Sequence, residues 1–147
     1  ESALPKGYTE RTKGRGLITG GWVQQQHVLQ HPSIGCFVTH CGAGSITEAL
    51  VSHSQLVLLP QFTDQYINAS MLSLDLEVGL EVEKDEFGNF SKQQVCQAIK
   101  VMMDGENQVG RNARVNHEKW RNFLLVEGFQ ESYISDFIAS LKVIAIS

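Results

Sequence analysis

Cysteine is scarce. Cys36, Cys41 and Cys96 are odd in number and none stands in a C-x-x-C pair. That pattern argues against a disulfide frame and against a zinc site, and favours reduced thiols in a cytoplasmic protein. No apolar run approaches the roughly 20 residues that a membrane span needs, and no basic-then-apolar leader opens the chain. Positive charge is not in excess: 12 Lys+Arg against 16 Asp+Glu give a net charge of -4 and a pI near 5.7. Nucleic acid is therefore disfavoured as a main partner. Internal repeats and low-complexity tracts are absent. Two phosphate-binding fingerprints, GxxxxGK[ST] and GxGxxG, are absent as well, which removes the Walker and dinucleotide readings.

What is present looks globular. Of the 147 residues, 42% are hydrophobic and 19% charged, enough for one domain with a real core. The chain opens at Glu1 rather than Met, as expected of a piece of a longer polypeptide. Residues 1–16 read as loop or a short helical turn. A short strand is predicted at Leu17-Ile18-Thr19, closed by Gly20-Gly21. A short polar helix follows from Gln24 to Gln30. Cys36–Thr39 is a β-type apolar run too short for a helix, and Leu56–Leu59 reads as a fully buried strand stopped by Pro60. Between them lies a helix from Ser45 to Ser52. Asp64 to Glu77 reads as a helix with Ile67, Met71 and Leu74 in register, and Gly79–Val82 as a strand with alternating sides. Ser91 is a predicted N-cap for a helix through Met103. A longer helix runs from Asn107 to about Glu127 with Val109, Ala113 and Trp120 inward. A last amphipathic helix runs from Gln130 to about Val143 with Ile134, Phe137, Ile138 and Leu141 inward. Strands alternating with helices imply an α/β fold with a Rossmann-like parallel sheet and right-handed crossovers. Ligands of such sheets sit beyond the carboxyl ends of the strands. The turn at Gly42 and the loop from Pro60 to Asp64 both fall there.

The stretch from Trp22 to Gln65 carries more polar side chains than a core needs. After the strand ending at Thr39 comes His40-Cys41-Gly42-Ala43-Gly44-Ser45, then helix. A glycine turn into a helix start offers unpaired N–H groups and a positive dipole end, a site for an anion such as phosphate. Ser45 adds a hydroxyl and His40 a ring N–H. Plain turn chemistry is the ordinary alternative. Glu48, one helical turn on, is either a capping-box carboxylate or an acceptor for a ribose diol. Trp22 is either packed at a strand end or free to stack on a flat base. Asp64-Gln65 is either a helix cap or a pair that reads sugar hydroxyls. One ligand satisfies all the functional alternatives together: base, ribose, diphosphate and sugar, which is a nucleotide sugar.

The same stretch resembles the signature box of the plant UDP-sugar-dependent glycosyltransferases of family 1. Trp22, Gln25, His31, Gly35, Phe37, His40-Cys41-Gly42, Ser45, Glu48, Pro60 and Asp64-Gln65 follow its order and spacing. GRGLITGGWVQQQ before it, and LEVGLEVEKDEFGNFSKQQV with NHEKWRNFLL after it, resemble the branch that adds a sugar to an already attached sugar, as on flavonoid and anthocyanidin 3-O-glucosides. The resemblance implies that residues 1–147 are the carboxyl-side part of the donor domain of a GT-B glycosyltransferase, with the box at 22–65 and C-terminal helices over about 91–143. It implies that Trp22 stacks on uracil and the Val23 backbone pairs with the base edge. Gln25 and Glu48 would take the ribose hydroxyls. His40, Ser45 and the backbone N–H groups about Gly42 and Gly44 would hold the diphosphate, and Asp64 and Gln65 the transferred sugar. UDP-glucose is the implied co-substrate, although xylose and rhamnose users share the closing Gln65. No metal and no separate cofactor are implied.

Most members carry Trp-Asn where this chain has Ala43-Gly44. Ser52-His53-Ser54-Gln55 stands in place of a usual Gly-Val-Pro. Both departures fit the sugar-on-sugar branch. The family inverts the anomeric centre using a His polarised by an Asp near the amino terminus. That pair has no match here, so no catalytic residue is expected in this chain, and a flavonoid-glycoside acceptor is expected to bind mainly outside it. In the family the last helix crosses back toward the acceptor domain; packing within this domain is the alternative. His27, His53 and His117 read as surface or partly buried residues. Two other classes stay open at this level: a UDP-sugar-binding module without activity, and a glycoside hydrolase using Glu48 and Asp64 as its carboxylate pair.

Overall fold

The computed structural model describes residues 4–146, with side chains through Ile144. Two short helices, α1 (Tyr8–Thr12) and α2 (Gln25–Leu29), precede strand β1 (Cys36–Thr39) and helix α3 (Ala43–Leu50). Strand β2 (Gln55–Leu58) leads into α4 (Asp64–Ser70), which runs straight into a wide π-helical turn at Met71–Asp75. Strand β3 (Gly79–Glu81) follows, then α5 (Lys92–Met103), α6 (Gln108–Leu124) and α7 (Phe129–Ile146).

The three strands form one parallel sheet in the order β1-β2-β3. Cys36 to Thr39 stand opposite Gln55 to Leu58, and Leu56 to Leu58 opposite Gly79 to Glu81. β2 is central and all four of its residues are buried, the polar Gln55 together with the apolar Leu56, Val57 and Leu58. Its side chains alternate between two cores. Leu56 and Leu58 pack with Leu29, Ile46, Ala49, Ala69, Leu72 and Val78. Val57 packs on the other face with Val82, Ala98, Met102 and Ala113. Each leucine removed from water in this way contributes about 1.5–3 kcal/mol. Helices thus cover both faces of the sheet, the α/β arrangement expected.

α5 begins where its sequence says it should. The Ser91 hydroxyl accepts the Gln94 N–H at 3.2 Å, and the Gln94 side chain accepts the Ser91 N–H at 2.8 Å, a reciprocal cap. α6 crosses α5 closely at Gly110, where a Cβ would stand 2.5 Å from the Val101 carbonyl oxygen. From α6, His117 Nε2 reaches the carbonyls of Ala49 at 3.2 Å and Leu50 at 3.3 Å. Arg121 Nε donates to the Val51 carbonyl at 3.2 Å. These carbonyls lie in the last turn of α3 and just past it, and that of Ala49 also accepts the Ser52 N–H at 3.0 Å, so α6 braces the end of α3 from behind. His117 is accordingly a buried structural residue.

Four expectations fail. Leu17–Thr19 is irregular, with Leu17 89% exposed, because no neighbouring strand among the described residues offers it a ladder. Along α4 and its π turn the buried residues are Gln65, Ala69 and Leu72, while Ile67 and Leu74 face water. Val109 is exposed beside the buried Gly110 and Ala113 of α6. Ile134, Phe137, Ile138 and Leu141 of α7 are all exposed, so that helix does not pack its apolar face on the described residues.

Candidate functional site

The parallel register brings the ends of β1 and β2 to one edge, with Thr39 opposite Leu58. The segments 40–45 and 59–64 leave that edge side by side. Cys41 is buried and sits in the left-handed region at φ 67°, which an ordinary side chain adopts only under constraint. Two contacts hold it. Its N–H donates to Thr39 Oγ1 at 3.2 Å, and its carbonyl accepts the Asn68 side-chain amide at 2.9 Å. Burial pushes the Cys41 thiol up to about 11, aided by the Glu81 carboxylate and opposed by a backbone hydrogen bond with Leu59. It is a packing group and not a nucleophile.

Gly42 is the N-cap of α3, in extended backbone. Its need for glycine lies in space: a Cβ there would stand 2.5 Å from His40 Nε2, so the imidazole lies directly over it. The first bond inside α3 joins the Ile46 N–H to the Gly42 carbonyl at 3.0 Å. The N–H groups of Gly42, Ala43, Gly44 and Ser45 have no acceptor among the described residues. Gly44 is exposed and faces open space. This helix start therefore presents a row of donors, with the exposed His40 beside it.

α2 is joined to the same helix. Gln25 Nε2 donates to Glu48 Oε2 at 2.8 Å and lies 3.4 Å from Ser45 Oγ. Glu48 is thus no capping-box residue: its carboxylate reaches across to α2, and α3 carries no side-chain cap. Three residues, Gln25, Ser45 and Glu48, form one polar cluster. Trp22 is 85% exposed, so the packed alternative for it fails, and Val23 is also exposed. The Val23 carbonyl accepts the Gln25 N–H at 2.9 Å, which ties the loop carrying Trp22 to α2.

Beyond β2, Thr63 caps α4 in a strained conformation (φ 50°, ψ -123°), and Asp64 is the first helical residue rather than the cap. Its exposed carboxylate accepts the Thr63 hydroxyl at 2.9 Å and lies 3.5 Å from Asn68 Nδ2. Gln65 is buried. Its amide oxygen accepts the N–H groups of Gln61 at 2.9 Å and Phe62 at 3.4 Å, which fixes the 61–64 loop. With the oxygen engaged, only its NH2 remains to donate.

Asn68 was missed by sequence reasoning. Its visible signal is weak: an amide one helical turn after Asp64. The partner that gives it meaning, Cys41, is 27 residues away.

Comparison with known proteins gives the family and the fold. The family model for UDP-glucoronosyl and UDP-glucosyl transferase matches residues 6–121. UDP-glycosyltransferase 79B30 of Glycine max is 52% identical over 145 residues, 98% of this chain and 32% of that protein. An anthocyanidin 3-O-glucoside 2''-O-glucosyltransferase of Ipomoea nil is 50% identical over 143 residues, 97% of this chain and 31% of that protein. Among solved structures, a UDP-glucose: anthocyanidin 3-O-glucosyltransferase in complex with UDP superposes with a TM-score of 0.81 at 35% identity, covering 99% of this chain and 32% of that one. The UGT2 of Phytolacca americana, complexed with UDP-2fluoro-glucose and pterostilbene, gives a TM-score of 0.80 at 31% identity, covering 93% and 32%. The chain spans about a third of the length of the relatives it matches. With most of its length matched and half its residues identical to curated members, the chain belongs to the UDP-glucoronosyl and UDP-glucosyl transferase family.

Proposed function

We propose that this chain is the donor-binding part of an inverting UDP-glycosyltransferase that moves a sugar from a UDP-sugar to a hydroxyl of a plant secondary metabolite. The observation that carries the proposal is the joining of Gln25, Ser45 and Glu48 beside four unpaired N–H groups at one strand edge. In this reading Trp22 stacks on uracil and the Val23 backbone meets the base edge. Gln25 and Glu48 bind the ribose diol. The row of N–H groups at Gly42–Ser45, the Ser45 hydroxyl and His40 hold the diphosphate. Asp64 accepts from the transferred sugar and the Gln65 NH2 donates to it.

Chemistry follows from those positions. As the acceptor oxygen attacks the anomeric carbon, the bond to the β-phosphate oxygen breaks and negative charge grows on UDP. Preplaced N–H donors stabilise that charge without a metal, and one such donor is worth on the order of 3 kcal/mol in the transition state. The base that takes the acceptor proton lies in no residue assigned here. Relatives named for anthocyanidin 3-O-glucosides and for UDP-glucose support a flavonoid 3-O-glucoside as acceptor and UDP-glucose as donor; a cytoplasmic setting is part of the same proposal.

The test is direct. Full-length protein is incubated with UDP-glucose, UDP-xylose and UDP-rhamnose and a flavonoid 3-O-glucoside, and the product linkage is determined. A diglycoside formed only with UDP-sugar supports the proposal. Glycoside cleavage without UDP, or no transfer from any donor, rejects it.

A further inference from the structure

Asn68 faces two parts of the site at once. Its Nδ2 is 2.9 Å from the Cys41 carbonyl oxygen and 3.5 Å from Asp64 Oδ2. The Cys41–Gly42 peptide is trans, since the described residues contain no cis bond. In a trans peptide the carbonyl and the following N–H point in opposite directions. A hand on the Cys41 carbonyl therefore sets where the Gly42 N–H points. Thr39 holds the preceding peptide through the Cys41 N–H at 3.2 Å, so a left-handed, non-glycine residue is clamped on both sides. Such a conformation persists only where its surroundings enforce it.

We propose that Asn68 is a positioning residue for the diphosphate: by holding the Cys41 carbonyl it fixes the plane that presents the Gly42 N–H, and it couples that plane to Asp64. Asn68 touches no substrate. It acts through the backbone of the turn on one side and a sugar-facing carboxylate on the other. Without it, the peptide is free to rotate and the first donor in the row loses its aim. The inference rests on the reading of this edge as the donor site.

The experiment measures binding of uridine and of UDP to full-length wild-type protein, Asn68→Ala and Asn68→Asp, by calorimetry. Wild type should bind UDP more tightly than uridine. In Asn68→Ala, UDP affinity should fall about tenfold, the scale of one lost charge-assisted hydrogen bond, while uridine affinity stays at the wild-type value. Asn68→Asp should lose at least as much, because a carboxylate meets the Cys41 carbonyl with no proton to donate. The KM for acceptor should not move in either variant. Unchanged UDP affinity in both variants overturns the inference while leaving the donor site standing. Equal loss of uridine and UDP assigns Asn68 to general folding and also overturns it. If wild-type protein itself binds uridine and UDP equally, the donor-site reading fails and takes the inference with it.

Discussion

Gln25 Nε2 and Glu48 Oε2 are 2.8 Å apart across 23 positions of sequence. This bond joins a five-residue helix to the helix that opens with the unpaired N–H row. If both side chains serve one ribose, their contributions to donor binding are not independent. Gln25→Ala and Glu48→Ala should each weaken UDP-sugar binding, and the double variant should lose less than the sum, with a coupling of about 0.5 kcal/mol or more. A double-mutant cycle on full-length protein that closes additively would count against a shared ligand.

Trp22 stands almost fully in water, whereas Trp120 is half-buried against the first core. A uracil stacked on Trp22 removes it from water. UDP should therefore change the tryptophan emission, and Trp22→Phe should abolish that change while lowering UDP affinity. An identical spectral response in the variant would place the base elsewhere.

Two glycines of the turn make opposite forecasts. Gly42→Ala pushes a methyl against the His40 ring, so UDP affinity and transfer should both drop. Stability should change by about 1 kcal/mol or less, since the backbone there is ordinary extended chain. Gly44→Asn meets nothing within 4 Å and restores the amide common in the family. It should raise stability by about 0.3 kcal/mol through helix propensity and tighten UDP. Thermal melts beside UDP titrations separate the two effects.

His117 sets a pH dependence. Burial lowers its pKa from 6.5, assisted by His53 and Arg121 and opposed by the hydrogen bonds to Ala49 and Leu50. The unfolded chain takes up this proton near 6.5 and the folded chain only at lower pH. Stability from this group is thus present above about 6.5, is lost as pH falls through the window beneath it, and levels off below the folded pKa. His117→Gln keeps a donor for the two carbonyls without titrating. Its urea midpoint should be flatter than wild type between pH 7 and 5, and equal slopes would remove His117 from the account.

Much of this was legible because the strands are nearly pure. Cys36–Thr39 is found at its predicted bounds, and β2 within one residue, since unbroken β-branched and apolar runs beside turn residues leave little choice. The polar cluster was readable from its spacing, but the roles of its members were not. Glu48 and Gln25 meet only through the crossover, and local sequence carries no sign that the Gln65 oxygen holds the 61–64 loop. Along α4 a buried glutamine leaves no apolar mark on the stripe through Ala69 and Leu72, so the helical register of Ile67, Met71 and Leu74 does not point to the inner side. Leu17–Thr19 and α7 failed for a different reason. Their composition is right for a strand and an amphipathic helix, but neither finds a partner among the described residues.

The wide turn at Met71–Asp75 bears on which changes the chain can absorb. It holds one more residue per hydrogen-bonded loop than an ordinary coil, and this surplus sets the phase at which Val78 swings into the interior and β3 departs. Deleting a residue there would rewind the coil but rotate its exit by about 100°, carrying Val78 away from its neighbours. Length is the constrained quantity in this segment. Leu74 and Asp75, both facing water, should accept replacement freely where the loss of either one is not tolerated.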